Sequence, residues 1–316
     1  MASLLAINGT RLFIDERGPA DGRPLLFIHG GPGNSWWDFM ASVGDAFAAR
    51  GFRMIGVDQR GVLRSDALPE DPALSTDVLI DDFEAIREQL SFESWAVIGH
   101  SSGGAYAFDY AVRHPERIDA LVLDCPALDA DATDRFRLPK AAAMLDEAAA
   151  ADDSGVGGTD AAAVLRDAAT ECRRLAALER RLTSDDRSWE AMLPLGPRYL
   201  DLFLHDASTR EQYERLMSTA PEELDWGKGM SHLVLMAEMY RDQTPQLADL
   251  AVPSMLLVGE SDMVAPPAVQ ERYRAATGGD VVTVPRSGHF AFVEQPAAYV
   301  ERVAEFLSRA GAGAGG

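Results

Sequence analysis

The chain alternates short apolar segments with helical segments, and this alternation limits its possible folds more than any other feature. Residues 25–28, 54–58, 95–99 and 118–124 are short, apolar and bounded by glycine or polar residues, a pattern typical of strands buried on both faces. Helical patterns follow the first three of these segments. We therefore predict an α/β protein with a mostly parallel, doubly wound sheet.

The alternation stops after residue 125 and resumes near residue 251. Between these points the sequence has helical patterns and no convincing strand, whereas strands return at 254–259 and 280–284. We predict one α/β core from residues 1–125 and 251–310, a helical insertion at 126–250 and a flexible glycine-rich tail at 311–316. A polar link is expected at 152–159. Asn8-Gly9 predicts a tight hairpin between the first two strands.

The composition excludes several partners. Lysine and arginine total 29 against 50 aspartates and glutamates, a formal net charge of −21, which repels nucleic acid and anionic membranes. Two cysteines, Cys125 and Cys172, are too few for a disulfide framework or a cysteine-based metal site. The first residues lack a signal-peptide pattern, and no apolar run is long enough to span a membrane, so we expect a cytoplasmic protein.

The sequence Gly99-His100-Ser101-Ser102-Gly103 has the G-x-S-x-G pattern between a predicted strand and a predicted helix. A tight strand-to-helix turn would place the Ser101 hydroxyl above the sheet edge, at the N-terminus of the helix. Serine alone is a weak nucleophile and requires an adjacent base. The motif predicts Ser101 as a nucleophile, and the alternative is a turn that only packs.

Six histidines could supply the base, and His289 is the best placed of them. It follows the last predicted strand, and in a parallel sheet that loop lies at the same edge as the loop carrying Ser101. His29 and His100 belong to glycine turns, and the remaining three lie in the insertion or at a helix end.

The carboxylate that orients the base should precede His289 in the chain and follow a strand. Both Glu260 and Asp262 follow the predicted strand 254–259. We choose Asp262, because it lies further into the loop, with Glu260 as the alternative.

An enzyme of this kind also needs N–H donors for the oxyanion of its intermediate. The backbone N–H of Ser102 follows the nucleophile directly. The second donor should come from His29-Gly30-Gly31-Pro32-Gly33, where Gly31 is the best placed. The spacing of this loop does not match a phosphate-binding loop.

Taken together, these residues resemble the α/β-hydrolase superfamily over residues 5 to 309. Residues 29–33 (HGGPG) and 58–65 (DQRGVLRS) resemble two sequence blocks of the prolyl aminopeptidase (proline iminopeptidase) family. This resemblance implies an α/β-hydrolase fold with an inserted helical cap. It further implies a serine hydrolase that acts on small amino-acyl amides or peptides, without a cofactor or metal.

The sequence departs from that family at two points. The residue after the nucleophile is Ser102 rather than an aromatic residue, which is closer to esterases, and Val62-Leu63 replaces a Cys/Ser-Gly pair. The family binds the substrate amino group with cap glutamates, and the segments around Glu190 and Glu238 resemble those that carry them. Trp36 could line an apolar pocket or pack in the core.

Three functions remain from the sequence. The first is an aminopeptidase or amidase, the second a carboxylesterase or lactone hydrolase, and the third a ligand-binding protein on a hydrolase fold without catalysis. A complete set of candidate catalytic groups argues against the third. The expected partner is a small molecule or a short peptide, and the oligomeric state is left open.

Overall fold

The computed structural model describes residues 2–69, 74–153 and 159–313. Eight strands form one sheet in the order β1-β2-β4-β3-β5-β6-β7-β8. Their bounds are β1 Ala2–Ile7, β2 Thr10–Arg17, β3 Arg23–Ile28, β4 Phe52–Asp58, β5 Trp95–His100, β6 Ile118–Asp124, β7 Ser254–Gly259 and β8 Asp280–Val284.

The sheet is antiparallel at one edge and parallel elsewhere. Strand β2 pairs antiparallel with both β1 and β4, and the Asn8-Gly9 turn joins β1 to β2. All pairs from β4 through β8 are parallel. The predicted α/β sheet is confirmed, including the strands at 118–124, 254–259 and 280–284 with the expected bounds.

Helices cover both faces of the sheet and enclose two apolar cores. One core is built around Phe83, Trp95 and Tyr110, and the other around Phe27, Phe39 and Tyr299. The helices of this layer are α1 Trp37–Phe39, α2 Asp45–Ala48, α3 Thr76–Gln89, α4 Ser102–Arg113, α10 Pro267–Thr277, α11 Ala291–Glu294 and α12 Pro296–Gly313; a π-helical turn spans Met40–Gly44 and a 3-10 turn Pro115–Arg117.

Within the described residues, the segment between β6 and β7 contains helices joined by turns and no strand, and it carries an apolar core of its own. Its α-helices are α5 Ala130–Asp153, α6 Thr159–Ala176, α7 Ser188–Met192, α8 Ala207–Met217 and α9 Met236–Met239; its 3-10 segments are Ser184–Asp186, Leu193–Leu202, Trp226–Leu235 and Thr244–Asp249. We refer to residues 126–250 as the cap.

The sequence pattern predicts a cap helix over residues 139–151, but helix α5 begins nine residues earlier, at Ala130, and Pro139 lies inside it. Proline is favourable in the first turn of a helix, so the sequence pattern favoured a start there. The upstream turns are held by tertiary contacts instead, because Arg135 donates to the Ala176 carbonyl and Asp131 accepts a hydrogen bond from the backbone N–H of Leu182. Packing thus overrides the local signal.

Two segments predicted to be flexible lie partly outside the described residues. Of the polar link at 152–159, residues 154–158 are not described, and Thr159 begins α6. Helix α12 extends to Gly313, into the predicted tail, and residues 314–316 are not described. Among the described residues, no helix is long and apolar enough to cross a lipid bilayer.

Candidate active site

Four loops that follow parallel strands meet at one edge of the sheet. In the strand registers, Ile28 pairs with Gly99, His100 with Asp124 and Gly259 with Val284. The carboxyl ends of β3, β5, β6, β7 and β8 therefore lie side by side. The loops carrying Gly31, Ser101, Asp262 and His289 begin at these ends.

Ser101 occupies a strained turn between β5 and α4. Its φ of 57° and ψ of −123° lie in a region that residues with a Cβ atom rarely adopt. Three backbone hydrogen bonds hold the turn: Ser101 N–H donates to the carbonyl of Asp124, and the Ser101 carbonyl accepts from Gly104 and Ala127. The predicted strand–turn–helix context of the motif is therefore present.

The two glycines of the motif allow the turn to pack against neighbouring backbone. A Cβ atom on Gly103 would lie 2.2 Å from the Ile28 carbonyl oxygen, and one on Gly99 would lie 2.5 Å from the Gly103 oxygen. Both distances are far below van der Waals contact, so no side chain fits at either position without a shift of the backbone.

His289 and Asp262 form a buried hydrogen-bonded pair. The Nδ1 atom of His289 lies 2.8 Å from Oδ1 of Asp262, and the two side chains are 4% and 1% exposed. The other carboxylate oxygen accepts hydrogen bonds from the N–H groups of Val264 and Ala265. Glu260, the alternative acid, is exposed and accepts from the backbone N–H of Arg286.

The electrostatics keep this pair in the form that a general base requires. Burial lowers the pKa of His289 and the nearby His100 lowers it further, while Asp262 opposes both effects. Burial acts to raise the pKa of Asp262, but its hydrogen bonds to His289 and to two backbone N–H groups hold that pKa below its ordinary value. The imidazole is thus neutral and the carboxylate ionised near neutral pH.

The remaining histidines have other partners. Burial lowers the pKa of His29 to about 3, and its Nδ1 atom lies 3.0 Å from the Gly30 carbonyl oxygen. His205 contacts the hydroxyl of Ser261, and His232 contacts the carbonyl of Arg60. His114 packs edge-on against the ring of Tyr110.

His100 has a partner that the sequence did not indicate. Its Nδ1 atom lies 3.0 Å from Oδ2 of Asp124, which also accepts a hydrogen bond from the Tyr299 hydroxyl. The His100 and His289 rings are 4.5 Å apart between centroids. Asp124 lies at the carboxyl end of a predicted buried strand, and this position in the sequence could have predicted its contact with His100.

The loop at 29–33 packs directly against the turn that carries Ser101. A Cβ atom on Gly30 would lie 2.6 Å from Cβ of Ser101. Gly31 has a φ of 130°, which glycine adopts readily, and it lines the same cavity as Ser101. Ser102 is fully buried as the first residue of α4, where its N–H has no partner within the helix.

The block at 58–65 supports this loop. The Gln59 side chain donates to the His29 carbonyl at 3.0 Å. The Arg64 guanidinium pairs with the fully buried Asp58 carboxylate at 2.8 Å and lies over the ring of Phe13. The resemblance of this block to the prolyl aminopeptidase sequences therefore corresponds to residues that build the loop rather than to residues in the cavity.

A cavity of about 550 Å³ lies between the sheet edge and the cap. Gly31, Ser101 and His289 line its floor, and aromatic and aliphatic cap side chains form most of its walls. The partly exposed Trp226 and the exposed Met230 line it as well. This volume suits a small molecule.

Three residues predicted to bind substrate do not line the cavity. Trp36 is 2% exposed, stacks on Phe13 and packs against Gly56, so it belongs to the core. Glu190 forms an ion pair with Arg187, its neighbour in the cap. Glu238 is exposed and accepts a hydrogen bond from the backbone N–H of Thr76 at 2.9 Å. The cap folds so that other residues face Ser101.

The cap instead brings a polar cluster to the cavity wall. Asp134 and Arg137 on α5 and Tyr240 line the cavity, and Ser188 lies beside them. Residues 134 and 240 are far apart in sequence, so no local pattern predicted this cluster. The spacing of Asp134 and Arg137, three residues apart on a helix, was the only signal present.

One group of donor atoms resembles a metal site in its spacing. Ligand atoms of Cys125, Asp262 and His289 lie within 4.8 Å of one another. Burial raises the pKa of the Cys125 thiol well above its ordinary value, which disfavours the thiolate that would bind a metal. The Asp262 and His289 atoms already bond to each other, so the donor chemistry fits a hydrogen-bonded pair better than a metal centre.

Comparison with known families agrees with this geometry. The family model described as alpha/beta hydrolase fold matches residues 23–296. This chain belongs to the α/β-hydrolase family. The protein is therefore a hydrolase, and the α/β-hydrolase superfamily predicted from its sequence is confirmed.

Proline iminopeptidases are among the relatives of this hydrolase. That of Neisseria gonorrhoeae is 38% identical over 121 residues, a segment that spans 36% of each chain. The hydrolase thus aligns with about a third of the length of these enzymes. The AB hydrolase superfamily protein YisY of Bacillus subtilis is 28% identical over 298 residues, which cover 93% of this hydrolase and 94% of YisY.

Solved structures share the fold over nearly the whole chain. The proline iminopeptidase-related protein of Thermus thermophilus superposes with a TM-score of 0.75 at 24% identity, covering 98% of this hydrolase and 97% of that chain. The enol-lactonase of Burkholderia xenovorans gives a TM-score of 0.67 at 19% identity, covering 97% and 100%. At sequence identities below 25%, these superpositions show a shared fold and not a shared activity.

Proposed function

We propose that this protein is a serine hydrolase of small carboxylic esters or lactones, with Ser101 as nucleophile, His289 as base and Asp262 as the orienting acid. The 2.8 Å contact between His289 and Asp262, beside a cavity that His289 and Ser101 both line, carries the proposal. Serine is a weak nucleophile without a base, and the position of His289 at the same cavity supports its role as that base.

In the first half of the reaction, the Ser101 hydroxyl attacks the carbonyl carbon as His289 removes its proton. The N–H groups of Gly31 and Ser102 stabilise the resulting oxyanion. His289 then donates the proton to the departing alcohol, which leaves an acyl-enzyme on Ser101. In the second half, His289 deprotonates a water molecule that attacks the acyl carbon, and the acid product leaves with Ser101 regenerated.

The cavity charges favour esters over substrates that carry a free amine. Among the described residues that line the cavity, Asp134 is the only one with a carboxylate, and four hydrogen bonds already occupy it. Glu190 and Glu238, which the aminopeptidase prediction requires, have partners outside the cavity. An ester needs no such carboxylate.

An aminopeptidase of the prolyl type is the second candidate. The 38% identity to a proline iminopeptidase, over 121 residues, favours it. Prolyl-amide, alanyl-amide and p-nitrophenyl-ester substrates separate the two activities. A preference for the free α-amine that is lost in Glu190→Gln or Glu238→Gln would favour the aminopeptidase.

A fluorophosphonate probe tests the serine mechanism. The wild-type protein should be labelled at Ser101 and should hydrolyse p-nitrophenyl esters, and Ser101→Ala should lose both properties. Labelling or turnover that persists in Ser101→Ala would overturn the mechanism. A folded wild-type protein that is not labelled would favour the ligand-binding alternative.

The cytoplasmic location stays a prediction of the sequence.

A further inference from the structure

The cavity contains a guanidinium group that the proposed reaction does not use. Arg137 lies on α5, and its side chain is 14% exposed where it lines the cavity with Ser101 and His289. A cationic side chain in a mostly apolar cavity is costly unless it has partners. The existing partners of Arg137 therefore indicate what a ligand could add.

Arg137 is only partly satisfied by the protein. Its Nε and Nη2 atoms both donate to the same oxygen of Asp134, at 3.0 and 2.7 Å. Within the described residues, Nη1 donates no hydrogen bond, although it carries two N–H groups. The outer edge of the guanidinium thus retains donors.

In contrast to Arg137, Asp134 already has hydrogen-bond partners at both of its carboxylate oxygens. Arg137 occupies its Oδ1 atom, and its Oδ2 atom accepts from the hydroxyls of Ser188 and Tyr240. The two hydroxyls also lie 2.8 Å from each other. Because Asp134 is already the acceptor of four hydrogen bonds, a ligand amine would gain little from it. This wall therefore has unused hydrogen-bond donors, which a ligand with acceptor atoms could occupy.

The charge of Arg137 persists at all relevant pH values. Burial acts to lower the pKa of Arg137, but the Asp134 carboxylate together with Tyr199 and Tyr240 outweighs burial, and the pKa is raised above its ordinary value. Asp134 balances the formal charge of the guanidinium but leaves Nη1 unpaired. A planar group with two oxygens matches the outer edge of a guanidinium, and a carboxylate has that shape.

We propose that Arg137 binds a carboxylate of the substrate, so that the preferred substrates are small esters or lactones with a second, unreacted carboxylate. This inference rests on the proposed function for the reaction at Ser101, but the binding of the carboxylate stands on the Arg137 geometry alone. One ester bond is broken, and the carboxylate at Arg137 is unchanged by the reaction.

Matched p-nitrophenyl esters test the substrate class. One series has acyl chains that end in a carboxylate, as in glutarate and adipate monoesters. The other ends in an isopropyl group, which has a similar shape without charge. We expect the wild-type protein to prefer the carboxylate series in kcat/KM by about tenfold to a hundredfold, the range for a hydrogen bond to a charged group.

The Arg137→Gln variant should lose this preference. The matched control is Arg198→Gln, the same substitution at a partly exposed cap arginine that does not line the cavity, and it should keep the preference. Asp134→Asn combined with Arg137→Gln removes both charges and covers the case in which Arg137→Gln alone does not fold. Equal turnover of both series by the wild-type protein, or an unchanged preference without Arg137, would overturn the proposal.

A binding measurement separates this inference from the proposed function. Glutarate should raise the Tm of the wild-type protein and of Arg198→Gln but not of Arg137→Gln, because a ligand that binds only the folded state stabilises it. Stabilisation without fluorophosphonate labelling of Ser101 would retain the carboxylate site and reject the serine mechanism. Labelling of Ser101 without stabilisation or a carboxylate preference would reject the site and retain the mechanism.

Discussion

The imidazole of His289 donates its Nδ1 proton to the carboxylate of Asp262 across 2.8 Å, with both side chains buried. This contact leaves Nε2 as the free nitrogen of the ring. Two backbone N–H groups, from Val264 and Ala265, fix the other carboxylate oxygen, so neither ring nor carboxylate is free to turn. The pair is thus arranged before any substrate binds.

Asp262→Asn should reduce kcat by about 10⁴-fold, because the amide would favour the wrong imidazole tautomer. The measurement is ester turnover by the purified variant. Glu260→Gln is the control in the same loop, since Glu260 faces solvent and contacts backbone. A comparable loss in Glu260→Gln would transfer the orienting role to Glu260.

The pH dependence of kcat/KM should reflect the lowered pKa of His289. Only the neutral imidazole accepts a proton, and a pKa below the ordinary 6.5 keeps that form present as the pH falls through 6.5. We therefore expect the acid limb of the profile to have its midpoint below pH 6.5. A midpoint at or above 6.5 would contradict this electrostatic account.

His100→Asn should move that acid limb to higher pH. The pKa of His289 is lowered by His100 and raised by Asp124, and these two residues contact each other at 3.0 Å. Without the His100 imidazole, the Asp124 carboxylate acts unopposed and stabilises protonated His289. The pH profile of the variant measures the shift, and an unchanged midpoint would show that the two groups do not couple.

Arg64→Ala should lower the free energy of unfolding by about 3–5 kcal/mol, because it leaves the fully buried Asp58 carboxylate without its partner. Urea denaturation measures the loss. Asp58→Asn combined with Arg64→Ala should recover part of it, since the uncompensated charge is removed. A double variant no more stable than Arg64→Ala would place the cost in the lost stacking on Phe13 instead.

Gly103→Ala should destabilise the fold by about 1–3 kcal/mol or more, the usual cost of overpacking. The added methyl group would lie 2.2 Å from the Ile28 carbonyl oxygen. Thermal denaturation is the measurement. Gly227→Ala is the matched control, because its added Cβ meets only the Asp225 side chain, at 3.2 Å. Equal Tm values for the two variants would contradict the packing argument.

Local patterns predicted most of the core. Buried strands are short, apolar and bounded by turns, so their positions followed from the residues themselves, and the parallel sheet followed from the alternation. The helices of the cap were less predictable. The pattern predicted a helix at residues 187–193 but not the 3-10 segment Leu193–Leu202 that follows, because prolines and a glycine interrupt its periodicity. Helix α5 begins earlier than Pro139 suggested.

The sequence by itself determined the sheet, the turn at Ser101 and the close approach of His289 to Asp262, because chain order and strand ends bring such residues to one edge. Only the tertiary structure decided which cap side chains face Ser101. Asp134 meets Ser188 and Tyr240, 54 and 106 residues away, through packing that no local periodicity encodes. For the same reason Glu190 and Glu238, which local sequence resemblance favoured, lie outside the cavity while Arg137 lines it.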